Sequence, residues 1–351
     1  MTDEPVLDFL VPGDPQTLTG GYIYDRRITE GLFALGWRVS VHSLDASFPF
    51  PTPLALTKAR TLLESIPTGR IVVIDGLALG SMPEPLADHA NRLRLMALIH
   101  HPLACETGLS SVERKKLKDS EQRSLSVVRG VFVNSHWTKQ QVAGYGVDLE
   151  RIHVVPPGTD PAPLAGGSGS ASLQLLCVAT LTPRKGHAIL FDALAQLRDR
   201  SWYLRCVGSL TRNVDTVRAL RKQITRLDLT ERVALLGEVT AEGLAHCYET
   251  ADLFVLASYL EGYGMVHSEA LSRGLPLVCT SAGAVPETVE ANAALLVPEG
   301  NVAGFVYALA KVMDDRSVLT ELASGARIAR DNLPSWDQAS AQFAAGLRAL
   351  L

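Results

Sequence analysis

The sequence predicts an α/β protein of two halves, each with a parallel sheet covered by helices. Strand-like apolar runs alternate with helix-like segments, and a stretch rich in Pro, Gly, Ala and Ser at residues 156–172 interrupts the alternation. The length of 351 residues also exceeds the roughly 250–300 residues at which a single core stops growing. We therefore expect domains at residues 1–160 and 170–334. Because the first half is short of a covering helix, a last helix at 335–351 is expected to pack back on it.

The composition excludes several classes of protein. A hydrophobic content of 47% is ample for two cores, and a formal charge of −4 argues against nucleic-acid binding, which needs a basic excess. No apolar run reaches the ~20 residues of a membrane-spanning helix, and the N-terminus lacks a signal-peptide pattern. The five scattered cysteines form no C-x-x-C pair and no His/Cys cluster at metal-ligand spacing. These features predict a reduced, cytoplasmic protein.

The first half shows strand–helix alternation from its start. Strands are expected at 6–11, 38–43, 70–74 and 93–99, helices at 22–35, 54–66 and 111–128, and a further strand, helix and short strand follow up to residue 155. Gly20 and Gly21 stand directly before the first helix, where backbone N–H groups could meet a phosphate. Asp75 follows the third strand, and His100 and His101 follow the fourth. Ligands bind at such strand ends in doubly wound folds.

Residues 45–68 allow two interpretations. Phe48, Phe50 and several prolines precede a helix that carries Lys58 and Arg60. The segment could touch a membrane surface or a hydrophobic acceptor, or it could pack on its own domain. The second interpretation is favoured.

The second half restarts the pattern. The expected strands are 173–180, 202–209, 232–239, 253–257 and 276–280, and the expected helices are 188–197, 214–227 and 244–249. After the first of these strands stand Arg184 and Lys185, directly before a glycine and a helix. Two cations at that point suit a diphosphate whose charge grows as a bond to it breaks. The alternative is a pair of solvated surface cations.

A glycine-rich turn opens the helix between the last two strands. Glu261 and Glu269 flank the turn eight positions apart. Such a pair could lie on a solvated helix face, but Glu261 precedes the helix and both flanking strands are too apolar to be sheet edges. Glycines in the turn would let the backbone approach a ligand closely, and N–H groups at the helix start would point towards an anion. The residues of this turn are Gly262, Tyr263, Gly264 and Met265.

The stretch from Glu261 to Glu269, with its EGYG core, resembles the E-x7-E signature of retaining glycosyltransferases of family 4. The turn TLTPRKG resembles the second signature of that family, and similar blocks cover nearly the whole chain, least clearly over residues 45–90. The resemblance implies a GT-B fold, in which two Rossmann-like domains face each other across a cleft. It also implies that the C-terminal domain holds most of a nucleotide-sugar donor.

The resemblance also implies roles for single residues. Lys185 would contact the donor phosphates, and Arg184 could supply a charge missing at Thr180, where many members carry Arg. Gly20 and Gly21 would approach the donor phosphate. The remaining roles concern the sugar and the ribose: Glu261 would bind sugar hydroxyls, Glu269 the nucleotide ribose, and a histidine would lie beside the sugar. Adjacent strand residues point in opposite directions, so only one of His100 and His101 faces the cleft. The resemblance places the histidine directly after the apolar strand, which favours His100.

The implied reaction is transfer of a hexose from a nucleoside-diphosphate donor, UDP-sugar first, to an acceptor hydroxyl with retention of configuration. The leaving phosphate would take the acceptor proton, and neither a metal nor a cofactor is expected. The acceptor could be a small molecule or a lipid, so a peripheral membrane contact stays open. Rival interpretations are a GT-B epimerase or phosphorylase and a non-catalytic sensor of nucleotide sugars. Turnover of a donor would separate an enzyme from a sensor.

Overall fold

The computed structural model describes residues 5–350, and these form two compact units. The first unit runs to Gly158 and resumes at Pro334, and the second runs from Thr159 to Leu333. Residues Met1 to Glu4, on which part of the signal-peptide expectation rests, and Leu351, the predicted end of the last helix, lie outside the described residues. None of the helices in residues 5–350 combines the length and the apolar character needed to cross a bilayer.

All strands of the described chain belong to two six-stranded parallel sheets. In chain order they are β1 (Val6–Pro12), β2 (Arg38–Leu44), β3 (Ile71–Asp75), β4 (Arg94–Ile99), β5 (Gly130–Val133), β6 (Ile152–Val154), β7 (Leu173–Val178), β8 (Trp202–Val207), β9 (Val233–Gly237), β10 (Leu253–Leu256), β11 (Leu277–Thr280) and β12 (Ala294–Val297).

Helices connect most of these strands. They are α1 (Gly20–Ala34), α2 (Pro53–Ser65), α3 (Gly76–Leu79), α4 (Pro83–His89), α5 (Ser111–Ser126), α6 (His136–Ala143), α7 (His187–Ala195), α8 (Val214–Arg226), α9 (Ala241–Glu249), α10 (Met265–Leu271), α11 (Val285–Thr288), α12 (Val302–Asp314), α13 (Arg316–Arg330) and α14 (Trp336–Ala349). Short 3₁₀ turns lie at Leu103–Cys105, Leu149–Arg151 and Pro183–Lys185. The predicted α/β class, with two halves of alternating strands and helices, is confirmed.

Both sheets reverse their strand order near the middle. The first has the order β2-β1-β3-β4-β5-β6 and the second the order β12-β11-β10-β7-β8-β9. The chain therefore leaves β1 towards one edge and returns to the other side of it with β3, and it does the same around β7 and β10. β10 and β11 are internal strands with fully buried side chains, as their apolar sequences predict. Each reversal opens a crevice at the carboxyl ends of two neighbouring strands.

The structure differs from the sequence expectations at several points. Gly20 and Gly21 do not precede α1 but form its first turn, with Thr19 as the N-cap residue. The segment 294–330, to which the sequence analysis assigned no elements, contains β12, α12 and α13.

The segment rich in Pro, Gly, Ala and Ser is anchored for most of its length. The border between the units follows Gly158. Beyond it, the Ala165 N–H donates to the carbonyl of Arg273, and the backbone and side chain of Ser168 both donate to the carboxylate of Asp252. Arg330 donates to the carbonyl of Ala162. Hydrogen bonds of its backbone and side chains to the rest of the second unit therefore hold this segment, despite its linker-like composition.

The loop between β2 and α2 divides its two aromatic side chains. Phe48 is buried in the core of the first unit, and Phe50 is 57% exposed. Thr52 caps α2 by accepting from the Ala55 N–H, which fixes where the loop ends. Packing on its own unit therefore accounts for Phe48 but not for Phe50.

The last helix, α14, packs on the first unit. It contacts α1, and the ring of Phe343 stacks on Phe132 of β5 with centroids 4.0 Å apart. A Cβ at Gly346 would collide with Phe132, so a glycine there allows the close approach. Ser335 and Gln338 form a reciprocal capping box that fixes the start of the helix. Residues far apart in sequence thus complete the core of one unit.

Replacing Phe343 with Ala should destabilise the first unit by about 3–5 kcal/mol, because a fully buried ring leaves a cavity. Urea unfolding would measure the loss in the free energy of unfolding. Hydrogen exchange of peptides from β5 and α1 would show whether the loss is local to the first unit. Phe33→Ala is the control, since Phe33 is 74% exposed on α1. Equal protection of β5 in Phe343→Ala and the wild type would contradict the packing role of α14.

Candidate active site

The second unit gathers charged groups at the reversal of its sheet. β7 and β10 are paired neighbours, and the turn after β7 carries Arg184 and Lys185 while the turn after β10 carries Glu261. Carboxyl ends of neighbouring parallel strands lie at one sheet edge. Residues 76 positions apart in sequence therefore meet there.

Lys185 and Glu261 form a direct ion pair. The Lys185 Nζ donates to Glu261 Oε1 over 2.7 Å, and the Ser258 hydroxyl donates to the same oxygen over 2.6 Å. The side chain of Glu261 is 6% exposed and that of Lys185 is 15% exposed. The carboxylate is thus held by two short hydrogen bonds in a largely desolvated place.

Arg184 adds a second cation to this carboxylate. Its Nη1 lies 3.9 Å from Glu261 Oε2 and donates to the carbonyl of Leu260 over 2.9 Å. In return the Tyr259 N–H donates to the carbonyl of Arg184 over 2.8 Å. The two turns are therefore joined through backbone as well as through charge.

The cations decide the ionisation of Glu261. Burial raises the pKa of this carboxyl, but Lys185, Arg184 and His267 outweigh burial and bring the pKa down to about 2. Burial also lowers the pKa of Lys185, and the facing carboxylate offsets part of that effect. When two opposite charges face each other away from water, each favours the ionised form of the other. Glu261 is therefore a carboxylate near neutral pH and accepts hydrogen bonds without being able to give a proton.

A glycine lets the two turns come together. Gly186, directly after Lys185, has a left-handed backbone with φ of 63°, and a Cβ on it would collide with the carbonyl of Ala257. A side chain here would push the Lys185 turn away from the end of β10.

The glycine-rich turn after Glu261 leads into α10. Gly264 caps this helix with φ of 90°, and a Cβ there would collide with the ring of His267. Met265 is the first helical residue, and the Tyr263 carbonyl accepts from the Thr288 hydroxyl over 2.9 Å. Gly262 and Tyr263 are buried between Glu261 and the helix. The turn is thus fixed by packing.

Glu269 lies on α10 and has different partners from Glu261. It accepts from the Tyr248 hydroxyl over 2.9 Å, and the Arg273 guanidinium lies over the Tyr248 ring. Burial raises the pKa of Glu269, although the Tyr248 hydrogen bond and Arg273 act in the opposite direction. The two glutamates of the signature therefore occupy separate hydrogen-bond networks in one unit.

The first unit has a cluster of its own at the reversal between β1 and β3. His100 follows β4, and its Nε2 lies 3.0 Å from Asp25 Oδ1 and 3.4 Å from Asp75 Oδ2. Asp75 ends β3 and also caps α3 by accepting from the Leu77 N–H. Asp25 lies on α1 and is 3% exposed. One imidazole is thus held between two carboxylates from different elements.

The two carboxylates keep His100 charged. Burial lowers the pKa of His100, but Asp25 and Asp75 raise it to about 10. Burial also raises the pKa of Asp25, to about 6, against the effect of the imidazolium. Near neutral pH the cluster therefore holds a protonated His100 and an ionised Asp25.

The other predicted residues of the first unit lie around this cluster or apart from it. A Cβ on Gly21 would meet the His100 ring at 3.1 Å, so the glycine admits the ring, and Gly20 is the first residue of the same helix. His101 lies with its Nε2 3.4 Å from Glu106 Oε2. The structure thus brings Gly21 and His100 together and gives His101 an acidic neighbour of its own.

Asp25 and Ser258 are site residues that the sequence did not predict. Asp25 stands four residues after Gly21, one helical turn along the same face of α1, and that spacing was the available signal. Ser258 is three residues before Glu261, in a turn whose geometry the sequence does not specify.

Asp25→Asn should lower the pKa of His100 towards or below its ordinary value, because burial would then act with one carboxylate fewer against it. The imidazolium contributes stability that is fully present below pH ~6.5 and is lost as the pH rises through about 10. The variant should lose that stability. NMR titration of 13C-labelled histidines, assigned with His100→Gln, would measure the pKa.

Asp119→Asn is the control, since Asp119 is 53% exposed on α5. Asp75→Asn should lower the pKa less than Asp25→Asn, because Asp25 makes the closer contact. An unchanged His100 titration in Asp25→Asn would contradict the proposed electrostatic role of Asp25.

Comparison with known proteins shows family matches for both units. Residues 166–328 match the family model described as glycosyl transferases group 1, and residues 20–163 match the model of glycosyltransferase family 4. A curated relative, the MMP alpha-(1->4)-mannosyltransferase of Mycolicibacterium hassiacum, is 27% identical over 320 residues, 86% of this chain and 75% of the relative. The chain spans about half the length of several other curated relatives.

Solved structures show the same fold over the whole chain. A sucrose-phosphate synthase from Thermosynechococcus elongatus superposes with a TM-score of 0.82 and 19% identity and covers 99% of both chains. HepE from Anabaena, solved with UDP and glucose, superposes with a TM-score of 0.77 and 20% identity and covers 98% of this chain and 100% of HepE. These likenesses confirm the GT-B fold class with two Rossmann-like halves. With both units matched, the chain belongs to the GT-B glycosyltransferases of the family 4 type.

Proposed function

We propose that the protein is a retaining hexosyltransferase that moves a sugar from a nucleoside-diphosphate donor to an acceptor hydroxyl. The observation that carries the proposal is the joined cluster of Lys185, Arg184 and Glu261 at the carboxyl ends of β7 and β10. It brings two cations of one turn against a carboxylate of the other turn that is ionised near neutral pH. A sugar diphosphate offers matching groups, since its phosphates are anionic and its ring hydroxyls donate hydrogen bonds.

The charges of the cluster divide the work. Lys185 and Arg184 bind the diphosphate and stabilise the charge that grows on it as the glycosidic bond breaks. Glu261, with a pKa of about 2, accepts hydrogen bonds from the sugar and so orients the anomeric carbon. A carboxyl that stays ionised is unsuited to general acid catalysis. Glu261 is therefore a binding and orienting group.

The proposed chemistry proceeds on one face of the sugar. The bond from the anomeric carbon to the phosphate oxygen breaks, and its electron pair stays on the diphosphate. The acceptor oxygen bonds to the anomeric carbon from the same face, and its proton passes to the departing phosphate oxygen. In the described chain the charged groups in contact with Glu261 are Lys185 and Arg184, which suits orientation better than the paired carboxylates of a retaining glycosidase.

Neither a metal ion nor a cofactor is required by this proposal. In many enzymes that act on phosphate-containing substrates, a divalent cation neutralises the phosphate charge. Here Lys185 and Arg184 carry the positive charge that can do so. Arg184 would thereby supply the charge that Thr180 cannot. The backbone of residues 262–265 would contribute N–H groups to the phosphates, and Glu269 a carboxylate to the ribose hydroxyls.

We propose UDP-sugar as the donor. HepE, which has a similar fold, was solved with UDP and glucose and also with UDP-glucose. This supports uracil as the base of the donor.

In the first unit we propose that His100, kept protonated by Asp25 and Asp75, contacts the sugar, and that the backbone at Gly20 and Gly21 contacts the phosphate. The names of curated relatives include transfer of mannose and transfer to D-inositol 3-phosphate. A hydroxyl-bearing small molecule is therefore the first acceptor to test, with a lipid as the alternative.

Glu261→Gln should lower transfer by about 100-fold or more, because an amide donates a hydrogen bond where the sugar needs an acceptor. Release of nucleoside diphosphate from UDP-, GDP- and ADP-sugars, with and without candidate acceptors, would measure turnover. Glu231→Gln is the control on an exposed loop. Wild-type turnover in Glu261→Gln, with normal thermal unfolding, would remove Glu261 from the site.

Lys185→Met should weaken the binding of free UDP by about 10- to 100-fold, which corresponds to a lost charge-assisted hydrogen bond of about 1.5–3 kcal/mol. Isothermal titration calorimetry would measure the affinity, with Lys222→Met on the exposed face of α8 as the matched control. Equal affinities in the two variants would show that the phosphates bind elsewhere.

A further inference from the structure

A second group of reactive side chains lies in the core behind the Lys185 turn. Cys177 is the penultimate residue of β7, its register partner Cys206 lies on the neighbouring strand β8, and His187 is the first residue of α7. Their ligand atoms all lie within 4.8 Å of one another. All three side chains are buried, with 0% exposure for both cysteines and 2% for the histidine. The proposed transfer reaction uses none of them.

The distances suit a metal ion with sulfur and nitrogen ligands. Bonds of about 2.3 Å to sulfur and about 2.0 Å to nitrogen, in tetrahedral directions, separate S from N by about 3.5 Å and two S atoms by about 3.8 Å. The Cys177 Sγ lies 3.7 Å from His187 Nε2. The cluster around His100 in the first unit is different. There the His100 Nε2 lies 3.0 Å from Asp25 Oδ1, which is the distance of a direct hydrogen bond and leaves no room for an ion between the two atoms.

In the described chain the side chain of His187 makes one polar contact, with the Cys177 thiol. Its Nδ1 is buried and has no hydrogen-bond partner among residues 5–350, although buried polar atoms are usually paired. Apart from the contact with Cys177, its ring meets Phe191 edge-on. Metal-bound histidines usually donate from their second ring nitrogen, so the proposal rests on the approach of Nε2 to the two cysteines and not on Nδ1.

We propose that Cys177, His187 and Cys206 form a binding site for Zn²⁺. Thiolate and imidazole are ligands that zinc prefers. Two thiolates, a neutral imidazole and a divalent ion have no net charge, which suits a site without solvent. Copper(I) accepts the same ligands but would leave one buried negative charge. The fourth position of a tetrahedral ion would fall to one bound water molecule, which leaves the site neutral.

The ion would have a structural role. His187 follows Lys185 and Gly186 directly in the chain. An ion bound by His187 and by one cysteine from each of β7 and β8 would therefore tie the Lys185 turn to the sheet. The proposed ion contacts three core side chains and not the donor phosphates. It is therefore compatible with transfer chemistry that uses no metal at the diphosphate.

The test begins with the full chain produced in zinc-supplemented medium and dialysed extensively. Elemental mass spectrometry should find about one zinc per chain. His187→Gln and Cys206→Ser should each lower zinc affinity by more than about 10-fold, since ligand loss exceeds the effect of losing a supporting contact. Cys247→Ser should keep the zinc, because Cys247 is a buried cysteine of α9 outside the cluster.

Two measurements on the wild-type protein keep the test independent of variant folding. X-ray absorption at the zinc edge should show two sulfur scatterers, and Co²⁺ substitution should give a thiolate-to-cobalt charge-transfer band. Zinc held without sulfur, zinc retained in full by Cys206→Ser, or a protein that takes up no zinc would each overturn the proposal. Uptake of copper(I) in place of zinc would overturn the assignment of the ion.

Discussion

The carboxylate of Glu261 can stay ionised in a desolvated place only because two cations from another turn face it. This interaction links two segments that are 76 residues apart and fixes the end of β7 against the end of β10. Removing either partner would leave an uncompensated buried charge, which is far more costly than an exposed one. The backbone follows the same constraint, because Gly186 gives the Lys185 turn room to lie against Ala257. In the second unit the pairing of these charges therefore requires the close approach of the two turns, and that approach requires a glycine at position 186.

Both units place their ionised groups by the same topological rule. Each sheet reverses its strand order once, at β1 and β3 in the first unit and at β7 and β10 in the second. Parallel strands end at one edge, so residues that follow different strands converge there. The two clusters nevertheless have opposite character. In the second unit two cations surround one carboxylate, and in the first unit two carboxylates surround one imidazolium.

Buried polar groups in this chain are satisfied in more than one way. Glu261 and His100 obtain full ionic partners, whereas His187 has a thiol as its nearest polar neighbour in the described chain. Neutral and ionic pairing are two of the ways in which a protein meets the cost of burying polar atoms. Coordination of an ion is a third, and it requires ligands that only the folded sheet brings together. His187 connects this core site to the turn that carries Lys185.

The sequence by itself determined the class of fold, the family and most of the charged residues of the second unit. Apolar strands with glycine-rich turns between them are local patterns, and Glu261, Glu269, Arg184 and Lys185 stand in short motifs that can be found without coordinates. Only the tertiary structure decided which of these side chains touch. It paired Lys185 with Glu261 and gave Glu269 a separate partner in Tyr248. It also added Asp25 to His100 and joined Cys177, Cys206 and His187. The physical reason is that strand order sets these contacts, and strand order depends on the packing of the whole sheet, which no local spacing of residues encodes.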